Sequence, residues 1–276
     1  MKTEEEKMKK KALQLLNDFI DEELPNKTID DLKKYSFWGI KNQKKFGNKK
    51  SYPDGDCTQI VYAIDYLLYD NLPEFKISDT LEAENYTGET INTFNTLFSR
   101  APEQRKKIKA LFGEDWKKIQ DEEQGECPFA DDFYHVYQRL GNFMLLPSKT
   151  ISDGQSINTY KGTRGTKDYF DLFFRELKEL LPLNDEKNNS SELWRLFEKN
   201  NFYFKDKKAD DFLKDFYLEC YKDFNLGEEY FSSRDSLKEQ YKKFALDYVE
   251  KATEFINLRS EKLVDKLKEK YPKLKK

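Results

Sequence analysis

The sequence predicts a mainly α-helical protein, a single irregular helical domain with one short extended segment and a long C-terminal helix. Three observations lead there. Near the C-terminus, Tyr241, Phe244, Ala245, Tyr248, Val249, Ala252, Phe255, Ile256 and Leu263 recur at the spacing of one helix face. Met8, Ala12, Leu15, Leu16, Phe19 and Ile20 do the same near the start. Only FMLLP, residues 143–147, is a short apolar run ended by proline, the pattern of a strand or buried extended piece.

Taken in order, the N-terminal helix stops at Pro25. Thr28 then reads as an N-cap, with Asp31 near a capping-box position, for a second helix through IDDLKKYSFWGIKNQ that carries Leu32, Phe37 and Trp38. FGNKKSYPDGD is a polar loop with Pro-Asp-Gly turn chemistry. Residues 56–69 are apolar enough for a central buried helix, and residues 71–88 read as irregular. TGETINTFNTLFSRA predicts a short helix capped near Thr87. Pro102 opens the next at its favoured first turn, with Ile108, Leu111 and Phe112 facing inward. A charged helical stretch surrounds Trp116, and GECPFADDFYHVYQRLGN ends in a Gly141-Asn142 stop. After FMLLP, SKTISDGQSINTYKGTRGT reads as a long polar loop. KDYFDLFFRELKELL, SELWRLFEKNN and DDFLKDFYLECYKDF are further helices, with NDEKNNSSE as a surface linker. The last helix runs from Ser233 to about Lys270, and KLKEKYPKLKK is expected to fray. No repeat and no long linker divides the chain. One domain is expected, made of an N-terminal helical pair (1–50), a core (55–225) and the long helix (232–272).

Composition narrows the function classes. Apolar residues are only 37% of the 276, but 22 Phe, 17 Tyr and 3 Trp supply large rings from which a core can close. The 49 basic and 52 acidic residues nearly cancel, unlike a disordered chain, and the net charge of −3 argues against a protein that coats duplex DNA. Cys57, Cys127 and Cys220 form no CxxC pair, which removes zinc-finger and redox readings and suits a reducing compartment. The charged start MKTEEEKMKKK lacks a signal-peptide core, and no apolar run is long enough to span a bilayer. A cytoplasmic location without membrane association is expected, and the Lys/Asn/Glu-heavy usage points to an AT-rich bacterium or its phage.

Polar residues are densest between Arg139 and Arg175: Asn142, Lys149, Ser156, Asn158, Lys161, Arg164, Asp168 and Asp171 all lie there. Gly154, Gly162 and Gly165 allow backbone amides to converge, and a glycine-rich loop entering a helix is a cradle for an anion. The functional reading is a phosphate-bearing ligand held by Asn142, Ser156, Asn158, Lys161, Arg164 and Arg175. The structural reading is a loop pinned by its own side chains, with Asp168 as a cap and Asp171–Arg175 as a helical pair. The order of residues is neither a Walker loop nor a dinucleotide fingerprint. His135, the only histidine, has Asp131 four residues before it and Arg139 four after, so an Asp–His general base is the sharp reading and an ordinary hydrogen-bonded histidine the bland one. Catalytic candidates are therefore His135, Asp168 and Asp171. Asp131-Asp132 and Asp210-Asp211 read as helix starts before divalent-ion ligands. Phe212, Phe216, Tyr217 and Tyr221 read as packing. No metal or cofactor is expected.

Three stretches, ETINTFNTLFSRA, RLGNFMLLPSKTI and SINTYKGTRGTKDYFDLFFRELKEL, together resemble a family of bacterial and phage proteins known as a domain of unknown function. The resemblance covers residues 55–225 and the FINLR of the last helix. It departs at Lys161-Gly162, where the family pattern has Arg-Gly, unless Arg164-Gly165 fills that place. It implies no activity. LGNFMLLP followed by Asn158 is more weakly similar to the Leu-Gly-Asn segment of HNH-type nucleases, whose catalytic histidine stands on a strand upstream. No histidine precedes His135 here, so that resemblance implies lost metal-binding and base functions.

The expected function is a binding or interaction protein, in phage–host conflict, with a polar ligand site over residues 142–175. Its partner would be a nucleotide, a nucleic acid or a protein. The alternatives are an enzyme acting on nucleic acid or nucleotides, a degenerate HNH-like nuclease among them, and a structural module that uses the C-terminal helix to bind proteins.

Overall fold

The computed structural model describes residues 3–47, 55–93, 98, 102–120, 127–163, 170–183, 191–224 and 239–274. It is mainly α-helical, with two small two-stranded sheets. Helix α1 (Glu4–Glu22) begins with a capping box: the Thr3 hydroxyl accepts from the Glu6 amide, and the Glu6 carboxylate accepts from the Thr3 amide. Its predicted apolar face, Met8 to Ile20, is buried.

The second helix is absent. Residues 29–39 form two 3₁₀ turns, Ile29–Lys33 and Phe37–Gly39. Thr28 makes no side-chain cap, and the Asp31 carboxylate instead accepts from the Asn26 backbone and side-chain amides. Distant partners override local propensity here. The Ser36 amide donates to the Pro128 carbonyl at 2.6 Å and the Phe37 amide to the Gln138 carbonyl at 2.9 Å. Tyr35 and Phe37 interlock with Phe19, their rings 5.2 and 5.7 Å from it. Helix α2 (Gln43–Phe46) is one short turn. Helix α3 (Gln59–Leu68) is the expected central buried helix; Thr58 caps it, and it packs against α1.

Residues 71–93 correct a second expectation. They hold three strands, β1 (Lys76–Ile77), β2 (Ala83–Glu84) and β3 (Tyr86–Thr90), so Thr87 lies within a strand rather than at a helix cap. β1 pairs with β2, and β3 pairs antiparallel with β4 (Phe143–Pro147), the predicted FMLLP strand, with Gly88 opposite Leu145. Residues 94–97 and 99–101 of the expected helix lie outside the described residues. Gly88 is required by close approach: a Cβ there would sit 1.9 Å from the Asp56 carbonyl oxygen.

Helix α4 (Pro102–Phe112) starts at Pro102 as expected and buries Ile108 and Phe112. The Trp116 stretch is a 3₁₀ turn, Gly113–Lys118, and α5 (Phe133–Val136) is only four residues long. Gly141-Asn142 does not stop a helix; both sit in a 3₁₀ turn, Leu140–Asn142, that leads into β4. Glycine is needed at 141 because a Cβ would lie 1.9 Å from the Ile256 carbonyl oxygen of the last helix.

The expected polar loop after β4 contains helix α6 (Ile157–Thr163). Next come α7 (Phe170–Leu180), α8 (Glu192–Lys199), α9 (Asn201–Phe204) and α10 (Ala209–Asp215). Helix α11 (Glu239–Lys270) has 32 residues, so it spans about 48 Å. It lies across the 29–33 and 140–142 turns, α3, α4 and α5. Its described end is packed: Lys268 pairs with Asp30 at 2.9 Å, Lys270 with Asp70 at 2.8 Å, and Leu274 is buried, while Lys275 and Lys276 lie outside the described residues. One apolar cluster runs from Met8 to Leu274. Among the described residues, no helix is long and apolar enough to cross a membrane.

Candidate ligand site

The polar residues around β3 and β4 divide into a buried group that the fold consumes and a surface group that it leaves open. Asn142 belongs to the first. It is fully buried, its Oδ1 accepts from the backbone and side-chain amides of Asn92, and its Nδ2 donates to the Asn92 and Tyr137 carbonyls, both at 2.7 Å. Asn92 donates in turn to the Tyr221 hydroxyl and accepts from the Tyr248 hydroxyl. These bonds use all the capacity of the Asn142 amide. They fasten the start of β4 to residues from three other parts of the chain, so Asn142 has no donor left for a ligand.

Arg259 of α11 completes this knot. It is wholly buried; Nη1 donates to the Gly141 and Phe143 carbonyls at 2.8 and 2.6 Å, Nε to the Phe216 carbonyl and Nη2 to the Tyr69 hydroxyl. The Gly141 carbonyl of the 140–142 turn and the first carbonyl of β4 are thereby satisfied. Asp65, buried on α3, lies within the field of Arg259. Burial pushes its carboxyl up to about 8 and the guanidinium offsets part of that rise.

Lys161 is likewise taken up by the fold. Its ammonium is fully buried, 3.0 Å from Glu89 Oε1 and 3.4 Å from the Thr90 carbonyl. The lysine fastens α6 to one face of the β3–β4 pair. On the other face, the Thr90 hydroxyl donates to Asp56 Oδ2 at 3.0 Å, beside the backbone approach that Gly88 admits. Alternation along β3 sends Glu89 and Thr90 to opposite sides, so Asp56 and Glu89 do not form one carboxylate pair.

Ser156 caps α6: its Oγ accepts from the Thr159 amide at 3.1 Å. Asn158 is half-buried on α6. Of the loop glycines, Gly154 has the expected positive φ (80°), Gly162 is helical, and Gly165 lies outside the described residues, as do Arg164 and Asp168. Asp171 is buried on α7 and Arg175 is exposed on it. His135 is buried on α5, edge-on to the Tyr134 ring. The expected Asp131–His135 pair is not formed: Asp132 caps α5 by accepting from the His135 amide, and Asp131 accepts from buried Arg139 at 2.9 Å. Burial raises the Asp132 carboxyl while His135 draws it back down. Asp210 and Asp211 start α10 and pair with Lys222 and the Lys208 amide. Phe212, Phe216 and Tyr221 are core residues.

The surface group is centred on residues outside the predicted set. The loop over 148–156 is held to the end of α8 by a reciprocal pair, the Lys149 amide donating to Asn200 Oδ1 and Asn200 Nδ2 to the Lys149 carbonyl, both at 3.0 Å. Lys149 stands 4.1 Å over the Phe202 ring and 3.3 Å from Glu74. Between this loop and α8 opens a pocket of about 400 Å³ lined by Ile151, Ser152, Arg195, Glu198 and Lys199. Arg195 and Lys199 are one turn apart on the exposed face of α8. The i, i+4 spacing of the two cations was readable in SELWRLFEKNN; their position beside Ser152 was not.

In comparisons with known proteins, no family model, no curated protein and no solved structure matches the chain.

Proposed function

We propose that the chain is a cytoplasmic binding protein for a small phosphate-bearing ligand, which docks between the 148–156 loop and α8. One observation carries the reading: Arg195 and Lys199 share an exposed helix face and open onto the Ser152 loop around an open surface pocket of about 400 Å³. Arg195 offers a planar fork of donors for phosphate oxygens, and Lys199 adds a mobile charge. Glu198 lines the same pocket and can accept only from a donor, which fits a hydroxyl or an amino group on the same ligand. Ile151 supplies an apolar edge for a ring. A nucleoside monophosphate has all three features. The ligand reading thus keeps only Ile151 and Ser152 of the expected segment and moves the charged contacts from Lys161, Arg164 and Arg175 to α8.

The test is calorimetric titration of the full chain with inorganic phosphate and with AMP, GMP, CMP and UMP, each with and without Mg²⁺, followed by analysis for products. Binding of at least one monophosphate, more tightly than phosphate and weakened at least tenfold by Arg195→Ala with Lys199→Ala, supports the reading. Binding that survives the double variant sinks it. Turnover lost in Asp171→Asn would replace it with the enzyme reading built on His135, Asp168 and Asp171.

A further inference from the structure

The outer face of α1 and the β1–β2 connection flank an open groove of about 620 Å³ lined by Lys7, Lys10, Lys11, Gln14, Leu15, Asp18 and Leu81. Its charge is one-sided. Asp18, the only acid in the lining, is already held by Lys45 at 2.7 Å and by Gln14 at 2.7 Å. Lys7 and Lys10 pair with no carboxylate among the described residues, and Lys11 donates to the uncharged Asp79 carbonyl. Three exposed ammonium groups therefore stand over a floor of Leu15 and Leu81, on a protein whose net charge is −3. The Lys11–Asp79 contact runs between the two sides of the groove.

We propose that this groove is a docking site for an acidic protein segment that carries a large aliphatic or aromatic side chain among its carboxylates. The carboxylates meet Lys7, Lys10 and Lys11, and the apolar side chain covers Leu15 and Leu81. Charge complementarity favours such a segment and gives the encounter its orientation. The floor argues against a membrane: Leu15 is 9% and Leu81 4% exposed, so both are recessed behind the lysines and neither can enter a bilayer. It also argues against a bare phosphate backbone, which brings nothing apolar to the leucines. A second copy of α1 fits poorly, because an antiparallel copy centred on Lys11 sets that lysine against itself and Glu4 against Asp18.

The experiment is fluorescence anisotropy of the full chain with a labelled ten-residue peptide of Asp and Glu carrying two central leucines. The competing probes are the same peptide with serines for leucines, phosphatidylserine vesicles, and single-stranded DNA. Saturable binding of the leucine peptide is expected, weakening as salt rises. The serine peptide should bind at least fivefold more weakly, and Lys7→Glu with Lys10→Glu should abolish binding while circular dichroism and the melting temperature stay unchanged. The Arg195→Ala, Lys199→Ala protein should bind the peptide normally, which separates this site from the nucleotide pocket. Equal binding of the two peptides, tighter binding of vesicles or DNA, or indifference to the Lys7/Lys10 reversal would each overturn the proposal.

Discussion

The knot around Asn142 and Arg259 and the pocket around Arg195 and Lys199 are both built from polar residues, and they differ in what those residues have left to offer. In the knot, every donor of the Asn142 amide meets a carbonyl, and Arg259 donates to three carbonyls and a tyrosine. In the pocket, two cations stand on an exposed helix face beside a loop hydroxyl. A dense run of Asn, Lys, Arg and Gly is therefore not in itself a binding signal. A polar group recognises a ligand with the bonds that its own fold has not made.

The largest effects should come from breaking the knot's charged members. Arg259→Met strands carbonyls at the entrance to β4, and Lys161→Met leaves Glu89 buried without its cation. Each should cost about 3–5 kcal/mol in urea unfolding. Adding Glu89→Leu to Lys161→Met should recover most of that loss. If Lys161→Met alone left stability unchanged, the lysine would be free to leave the core, and the anion cradle first read in residues 142–175 would return. Asn142→Ala should cost about 3 kcal/mol, since it deprives several buried groups of partners, and Gly141→Ala about 2 kcal/mol by pushing α11 off the 140–142 turn.

The pH dependence of stability distinguishes charge within the knot. The Asp65 carboxyl is raised from 3.8 to about 8 in the folded protein, so folding favours its protonated form. That contribution is complete below the unfolded value and is lost as pH rises towards the folded one. Asp65→Asn should therefore flatten the decline in urea midpoint between about pH 5 and about pH 8.5. An unchanged decline would assign it to other groups. The smallest stability effect belongs to the pocket: Arg195→Ala with Lys199→Ala should stay within about 0.5 kcal/mol of the parent protein while losing phosphate-ligand binding. A large loss of stability there would erase the distinction between the two regions.

Parts of this outcome were legible in advance. Period-3.6 patterning located α1, α3 and α11, proline marked the start of α4, and the proline-ended FMLLP run located β4. Where the local pattern was ambiguous it misled. TGETI read as a helix start and became β3 because Gly88 and Thr90 are fixed by the turn at Asp56. SFWG read as α-helix and instead forms an extended Ser36 followed by a 3₁₀ turn, held by backbone partners some hundred residues away. Gly141 read as a helix stop, although its lack of a side chain serves a helix far along the chain.

For the site, the sequence alone supplied the residue types and the concentration of polar groups before α7. Those depend only on composition, which is local. Tertiary structure alone decided that Lys161 points inward to Glu89, that Asn142 closes on Asn92, and that Ser152 faces Arg195 and Lys199. A side chain's remaining hydrogen-bonding capacity depends on what the rest of the chain brings within about 3 Å of it, and that distance is set by packing rather than by position in the sequence.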